Sequence, residues 1–427
     1  MRSGIRSEIR LALLLAVLAS GCASSFESAV PPAEPGTPRP DGLSFVGRAG
    51  LEILLQGGRL AGLQNGYVAV FARDGHLVHG TAVGHADAES KEPMTLDTRF
   101  RIASMTKPVT AAAAMILIED GALRLDDRVA DYIPAAGRVR VATSTEAGPD
   151  GAVPTEPLAR PLLVEDLLTF SAGIGSEDDP SDLGRLWAAN DIYAQQGSLE
   201  ERVDRILSAP LYEQPGVRWR YGWSADVLAR VVEVAAGKPF DEFLSERIFE
   251  PLGMSDTSFL PPPHERGRVA TMYRRAEDGG LERVATPASD APDWTPGGSG
   301  LVSTASDYLR FALMLGNGGS FDGVRVLRED SVRAMTTPHV RSGVLEEEGM
   351  ADGLGWGYGL AIVTDADATP MLDHDGDFWW SGYYGTTFFV SPQTGMAGTV
   401  LTQYQPRDRS DVAWPVFLAQ AAGVIGR

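Results

Sequence analysis

The stretch Phe100-Arg101-Ile102-Ala103-Ser104-Met105-Thr106-Lys107 sets a serine and a lysine three residues apart at the head of a helix-like run. From Met105 to Leu123 apolar residues recur at helical spacing, with Gly121 as the stop signal. A separation of three puts both side chains on one face of the first turn, so the amine reaches the hydroxyl. A serine hydroxyl is a weak nucleophile until its proton is removed, and a desolvated lysine can remove it. The helix N-terminus adds backbone N–H groups that favour the negative charge developing on an acyl intermediate. Composition sharpens the point: the chain has three lysines, Lys91, Lys107 and Lys238, against 34 arginines. Basic positions here default to arginine, which cannot deprotonate, and lysine stands where a deprotonatable amine would serve.

Around that nucleus, 37 Lys and Arg are set against 57 Asp and Glu, a formal net charge of −20 over 427 residues. Such a surface is unsuited to nucleic acid, which needs clustered basic residues. With 44% hydrophobic residues the chain can bury a large core. The single cysteine, Cys22, excludes an intramolecular disulfide and a thiolate metal cluster.

The first 21 residues read as an address. Arg2, Arg6 and Arg10 precede the apolar run Leu11–Ala19, too short to span a bilayer. The run ends in Leu18-Ala19-Ser20-Gly21-Cys22, which resembles the bacterial lipobox, with cleavage before a lipidated Cys22. Residues 22–45, rich in Pro, Gly, Ser and Ala, form an extended tether. The expectation is an exported lipoprotein of the bacterial envelope, anchored by its lipid on the periplasmic side of the outer membrane. Its acidic body would be tethered to the membrane rather than adsorbed on it.

The folded part is expected over 46–427. Leu51–Leu55 suggests a short helix, and Gly66–Phe71 and Leu77–Val83 around Asp74-Gly75 read as a β-hairpin. Helical patterns at Ala225–Ala236 and Phe240–Phe249 fall in a proline-containing middle, from about 130 to 295. Gly355–Val363, Thr386–Val390 and Met396–Thr402 are strand-like, and Val412–Val424 looks helical. Strands at both ends with a helical middle predict an α/β fold: an antiparallel sheet from the N- and C-terminal segments, flanked by helices, with an inserted, mostly helical domain.

The run 100–107 resembles the nucleophile motif of the serine β-lactamase and penicillin-binding-protein superfamily, especially its class C branch. Further segments agree in order: Asp166-Leu167-Leu168-Thr169-Phe170-Ser171-Ala172-Gly173-Ile174, Pro251-Leu252-Gly253-Met254, and Gly297-Gly298-Ser299-Gly300-Leu301-Val302-Ser303-Thr304-Ala305 followed by Asp307. The superfamily's Tyr-x-Asn triplet corresponds to Tyr221-Gly222-Trp223, which keeps the tyrosine and puts tryptophan in place of asparagine. The pattern Tyr221-Gly222-Trp223-Ser224-Ala225-Asp226-Val227-Leu228 is closer to the family VIII carboxylesterases. The resemblance implies Ser104 as nucleophile, with Lys107 and Tyr221 sharing the proton. No cofactor and no metal is implied.

The superfamily's third motif, Lys-Thr-Gly on a strand, is absent. Two segments compete for its place: His374-Asp375-Gly376, like the His-x-Gly variant, and Trp380-Ser381-Gly382, like the Trp-Gly-Gly of the esterases. Counting to Phe389-Val390-Ser391-Pro392 favours Trp380. In that alignment the Tyr383 and Ser104 amides would form the oxyanion hole, with Trp380, Ser381 and Gly382 lining the substrate side. Without the lysine of Lys-Thr-Gly a substrate carboxylate loses its natural partner, so a small neutral ester is expected. A D-alanyl-D-alanine carboxypeptidase or a β-lactamase-type amide hydrolase is the alternative. No G-x-S-x-G elbow and no G-x-G-x-x-G fingerprint occurs. His76, His79 and His85 sit on the predicted hairpin, with His76 and His79 expected on opposite faces of a strand, a poor start for a zinc site.

Overall fold

The structure, a computed structural model, describes residues 65–405 apart from 177–178, 191, 193–196, 278, 286–293, 348 and 370–371. The leader, Cys22, the tether and the expected helices at Leu51–Leu55 and Val412–Val424 lie outside the described residues.

An eight-stranded antiparallel sheet forms the frame. Strands β1 (Gly66–Arg73) and β2 (His76–Asp87) make the expected hairpin, and Asp74 and Gly75 both take positive φ, 50° and 78°. Paired left-handed residues are what a two-residue turn requires if its twist is to match the strands. Then follow β3 (Glu92–Pro93), β4 (Leu354–Trp356), β5 (Ala361–Val363), β6 (Phe378–Gly382), β7 (Thr386–Ser391) and β8 (Met396–Leu401). The spatial order is β4-β5-β6-β7-β8-β1-β2-β3. The two chain halves meet between β1 and β8, where Val68 opposes Leu401 and Arg73 opposes Met396. Strand β1, Gly-Tyr-Val-Ala-Val-Phe-Ala-Arg, is buried on both faces up to Ala72, which explains its unbroken apolar run.

One expectation is corrected. Gly355–Val363 is not one strand: β4 and β5 form a tight hairpin turning at Gly357–Leu360, with Gly359 at φ 79°. A short apolar run does not disclose such a fold-back, because both arms are buried.

Helix α1 (Thr106–Glu119) is buried on every face from Thr106 to Leu117, its few polar side chains, Thr106, Lys107 and Thr110, lying in the first two turns. It packs on α3 (Ser224–Ala236), which in turn receives α2 (Leu199–Ser208). Helix α4 (Ala305–Gly316), started by the Thr304 hydroxyl accepting from the Asp307 amide, lies against β1, β7 and β8. Between α1 and α4 the regular elements of the described chain are mainly short helices separated by long irregular segments, with two small hairpins, Arg140–Ala142 with Thr155–Pro157 and Tyr273–Arg275 with Leu281–Arg283. Among the described residues no helix is long and apolar enough to cross a membrane.

Candidate active site

Ser104 stands in a 3₁₀ turn, Ala103–Met105, that leads into α1. The turn is pinned from three sides: the Ile102 amide donates to Leu301 O at 2.9 Å, the Tyr308 hydroxyl donates to Met105 O at 2.7 Å, and Thr386 Oγ1 donates to Ile102 O at 3.1 Å. Ala103 is held at φ 45°, a strained value for a residue with a Cβ. The strain sits one residue before the serine.

Lys107 is 6% exposed, and its Nζ lies 2.9 Å from Ser104 Oγ, 2.6 Å from Gly298 O and 4.8 Å from the centre of the Tyr221 ring. Gly298 O accepts one N–H, and the ring face takes a second. In a neutral amine these leave the lone pair for the hydrogen of Ser104. The expected serine–lysine contact is therefore present, with the lysine side chain buried.

The loop 297–300 reaches this position because its residues are small. A side chain on Gly297 would fall on the Ala225 carbonyl, and one on Gly298 would come within 2.5 Å of Asp226 Oδ2. Gly297 O accepts from Thr110 Oγ1 at 2.7 Å, and Gly300 adopts φ 97°. Glycine lets the loop run between α1 and α3, close enough for its carbonyls to bond both Thr110 and Lys107.

Tyr221 precedes α3 and is 37% exposed, so it forms part of the cleft wall. Its ring stacks on Phe170 at 5.8 Å and meets Trp219 at 6.0 Å and Trp380 at 5.6 Å. Trp356 lies behind, edge-on to Phe170, Trp219 and Trp380. The face of the Tyr221 ring lies over the lysine amine, 4.8 Å from its centre. Trp223, in the position where the superfamily carries asparagine, faces the Arg202 guanidinium at 4.7 Å. Arg202 Nε donates to Asp226 Oδ1 at 3.2 Å, an ion pair with both partners almost wholly buried.

On the sheet side, β6 runs toward the serine turn. A Cβ on Gly382 would strike Ile102 O, so the strand end rests directly on the backbone leading to Ser104. Trp380 turns its side chain to the cleft, while Ser381 turns to Thr387 Oγ1 at 3.2 Å, as alternation requires. Tyr383, 45% exposed, lies in the turn closed by the Gly385 amide bonding Gly382 O. His374 stands before the opposite end of β6, its Nδ1 3.7 Å from Asp377 Oδ2. The structure thus gathers Ser104, Lys107, Tyr221, Trp380 and Gly382 around one cleft and leaves His374 in the turn before β6. Of the three hairpin histidines, His79 stacks on Phe71 at 6.4 Å, and the described residues contain no cluster of three or more His, Cys, Asp or Glu able to hold a metal ion.

Several neighbours of the site were not singled out from sequence. Gly298 and Asp226 were visible only as members of motifs, and Arg202, 24 residues from Asp226, left no local trace.

The family model described as Beta-lactamase matches residues 58–423. Protein Rv1367c of Mycobacterium tuberculosis is 35% identical over 362 residues, covering 83% of this chain and 89% of that one. Esterase EstB of Burkholderia gladioli is 32% identical over 356 residues, 79% of this chain and 85% of EstB. Among solved structures, EstCE1, described as a hydrolase with promiscuous acyltransferase activity, superposes with a TM-score of 0.74 at 27% identity, covering 88% of this chain and 98% of that one.

Proposed function

The chain belongs to the Beta-lactamase family, and from that premise we propose that it hydrolyses small neutral carboxylic esters through an acyl-enzyme on Ser104, with Lys107 and Tyr221 as the base. The observation that carries this is the 2.9 Å contact between Lys107 Nζ and Ser104 Oγ in a buried setting. Ser104 Oγ attacks the ester carbonyl carbon as its proton passes to Lys107 Nζ. The carbonyl oxygen becomes an oxyanion received by the backbone amides of Ser104 and Tyr383. The C–O bond then breaks, and the leaving alkoxide takes the proton back from the lysine, with Tyr221 at hand to share it. Water then gives its proton to Lys107 Nζ as its oxygen attacks the acyl carbon; the bond from that carbon to Ser104 Oγ breaks, Oγ takes the proton back from the lysine, and the carboxylic acid leaves.

Two features favour esters over penicillins and D-Ala peptides. The strand motif is Trp380-Ser381-Gly382, with no lysine to pair with a substrate carboxylate, and Trp223 offers no amide. The aromatic wall of Phe170, Trp219, Tyr221 and Trp380 suits an apolar acyl or alcohol group. The similarity to EstB and EstCE1 supports the same choice. The test is a panel on purified protein: a short-chain p-nitrophenyl ester, a chromogenic cephalosporin and a D-Ala-D-Ala peptide. Ester turnover lost in Ser104→Ala supports the reading, and dominant cephalosporin or peptide turnover replaces it with the amide-hydrolase alternative. The location goes with it: processing at Cys22 would tether this activity to the envelope, tested by mass spectrometry of the membrane-extracted N-terminus. Release into the soluble fraction with an unmodified cysteine would refute the anchor.

A further inference from the structure

Asp226 is fully buried, yet only one of its carboxylate oxygens is bonded. Oδ1 accepts from Arg202 Nε at 3.2 Å, while Oδ2 has no hydrogen-bond partner among the described residues. The unpartnered oxygen lies beside Gly298. A Cβ built there would be 2.5 Å from Asp226 Oδ2 and 3.5 Å from Lys107 Nζ, so at most about 6 Å separates the carboxylate from the amine.

A pair built for stability would use both oxygens, because a buried carboxylate lone pair left without a donor is destabilising. Arg160 and Asp166 in the same protein do so, with two bonds of 2.7 Å. The Arg202–Asp226 pair instead has its guanidinium fixed between Trp223 and Trp294, at 4.7 and 4.0 Å, and bonded to the Ile192 carbonyl. Its positive end is locked away on the side of Oδ1. Its negative end is left toward the lysine.

We propose that Asp226 is a positioning residue for catalysis: its free carboxylate oxygen stabilises the ammonium that Lys107 becomes on taking the Ser104 proton, and Arg202, clamped by two tryptophans, fixes that oxygen's place. The inference rests on Lys107 acting as the base. In the step concerned the Ser104 O–H bond breaks, the proton forms an N–H bond on Lys107, and the freed electron pair forms the Oγ–acyl bond. A positive charge thus appears within about 6 Å of a fixed negative one, where an opposite charge favours the charged form of an amine. Gly298 keeps the gap open, since any side chain there would meet the carboxylate. The other groups facing Lys107 are Ser104, the Gly298 carbonyl and the Tyr221 ring; farther off, Glu165 accepts from the Tyr358 hydroxyl, next to the turn at Gly359 that rests on the Lys107 carbonyl.

The experiment is the pH dependence of kcat/KM for a p-nitrophenyl ester in the wild type, Asp226→Asn and the double variant Asp226→Asn/Arg202→Gln. The acid limb reports loss of the base to protonation. Removing the carboxylate charge disfavours the ammonium, so Asp226→Asn moves that limb to lower pH by on the order of one unit and lowers the plateau rate. The double variant leaves no unpaired buried charge and reads the same effect if the single variant does not fold. Its limb moves the same way by less, because the opposing guanidinium charge is removed too. Acid limbs that coincide with the wild type in every variant that folds would overturn the proposal and leave Asp226 a packing residue. Ester turnover surviving in Ser104→Ala, measured alongside, would instead overturn the underlying reading and the proposal with it, and only that control separates the two failures.

Discussion

The two ends of β6 hold opposite kinds of residue. Before its start stand His374 and Asp377, titratable and 3.7 Å apart, with the Asp377 carboxyl buried and pushed above the usual carboxylate range by desolvation. At its finish stand Trp380, Ser381 and Gly382, none of them titratable, with Gly382 resting on the carbonyl of Ile102. The end rich in acid–base groups is the one away from the Ser104 turn. What this strand brings to the cleft is backbone at close range and one indole wall. Its contribution to the proposed chemistry is geometric, which is the kind of work an oxyanion hole requires.

Ways to break that contrast differ in expected size. The largest effect belongs to the turn that Gly382 faces: Ser104→Ala should lower kcat for an ester by about 10⁴-fold or more, and Lys107→Arg nearly as much, because residues acting as one unit fail together. Arginine keeps the charge and cannot take the proton. An active Lys107→Arg would show that the lysine serves as a fixed charge.

Next comes the finishing end of β6. Gly382→Val places two methyls against the serine turn and should cut kcat by about 10²-fold or more, the scale of a lost oxyanion donor. A thermal melt checks that the variant is folded. Wild-type rates in a folded Gly382→Val would remove this strand end from the mechanism.

The starting end should give the smallest kinetic effect. His374→Ala should leave kcat within a few-fold, and a dead, folded His374→Ala would return the third motif to His374-Asp375-Gly376. Asp377 should reveal itself in stability. Its folded-state pKa is raised, so the folded form holds its proton more tightly than the unfolded chain, whose carboxyl titrates near 3.9. Stability from this group is present below that value and is lost as pH rises through the raised folded value. Melting temperatures of wild type and Asp377→Asn at pH 4 and pH 7 should therefore shift, relative to each other, in favour of the variant at the higher pH.

Local pattern carried part of this structure in the sequence. Asp74-Gly75 between apolar runs announced the first hairpin, and Ser104 three residues before Lys107 announced their contact, because turn type and helical spacing act over a few residues. The β4–β5 fold-back escaped, since two buried three-residue arms look like one apolar run. So did the surroundings of Lys107. The Gly298 carbonyl is 191 residues away in sequence, and the Arg202 that orients Asp226 belongs to a different helix. Such contacts are made by tertiary packing and have no periodicity to read. The third motif lies between these cases: spacing to Phe389-Val390-Ser391-Pro392 already favoured Trp380 over the histidine segment, while the seating of Gly382 on the Ile102 carbonyl is a tertiary contact with no local signal.

The central claim is a covalent ester-derived acyl group on Ser104. Intact-protein mass spectrometry after rapid acid quench with a p-nitrophenyl ester, followed by peptide mapping, tests it most directly. The account predicts a mass increase equal to the acyl group, on the peptide containing Ser104, absent from Ser104→Ala and accumulating when breakdown of the adduct is slowed. An acyl group mapped to another residue, or ester turnover that persists in Ser104→Ala, would contradict it.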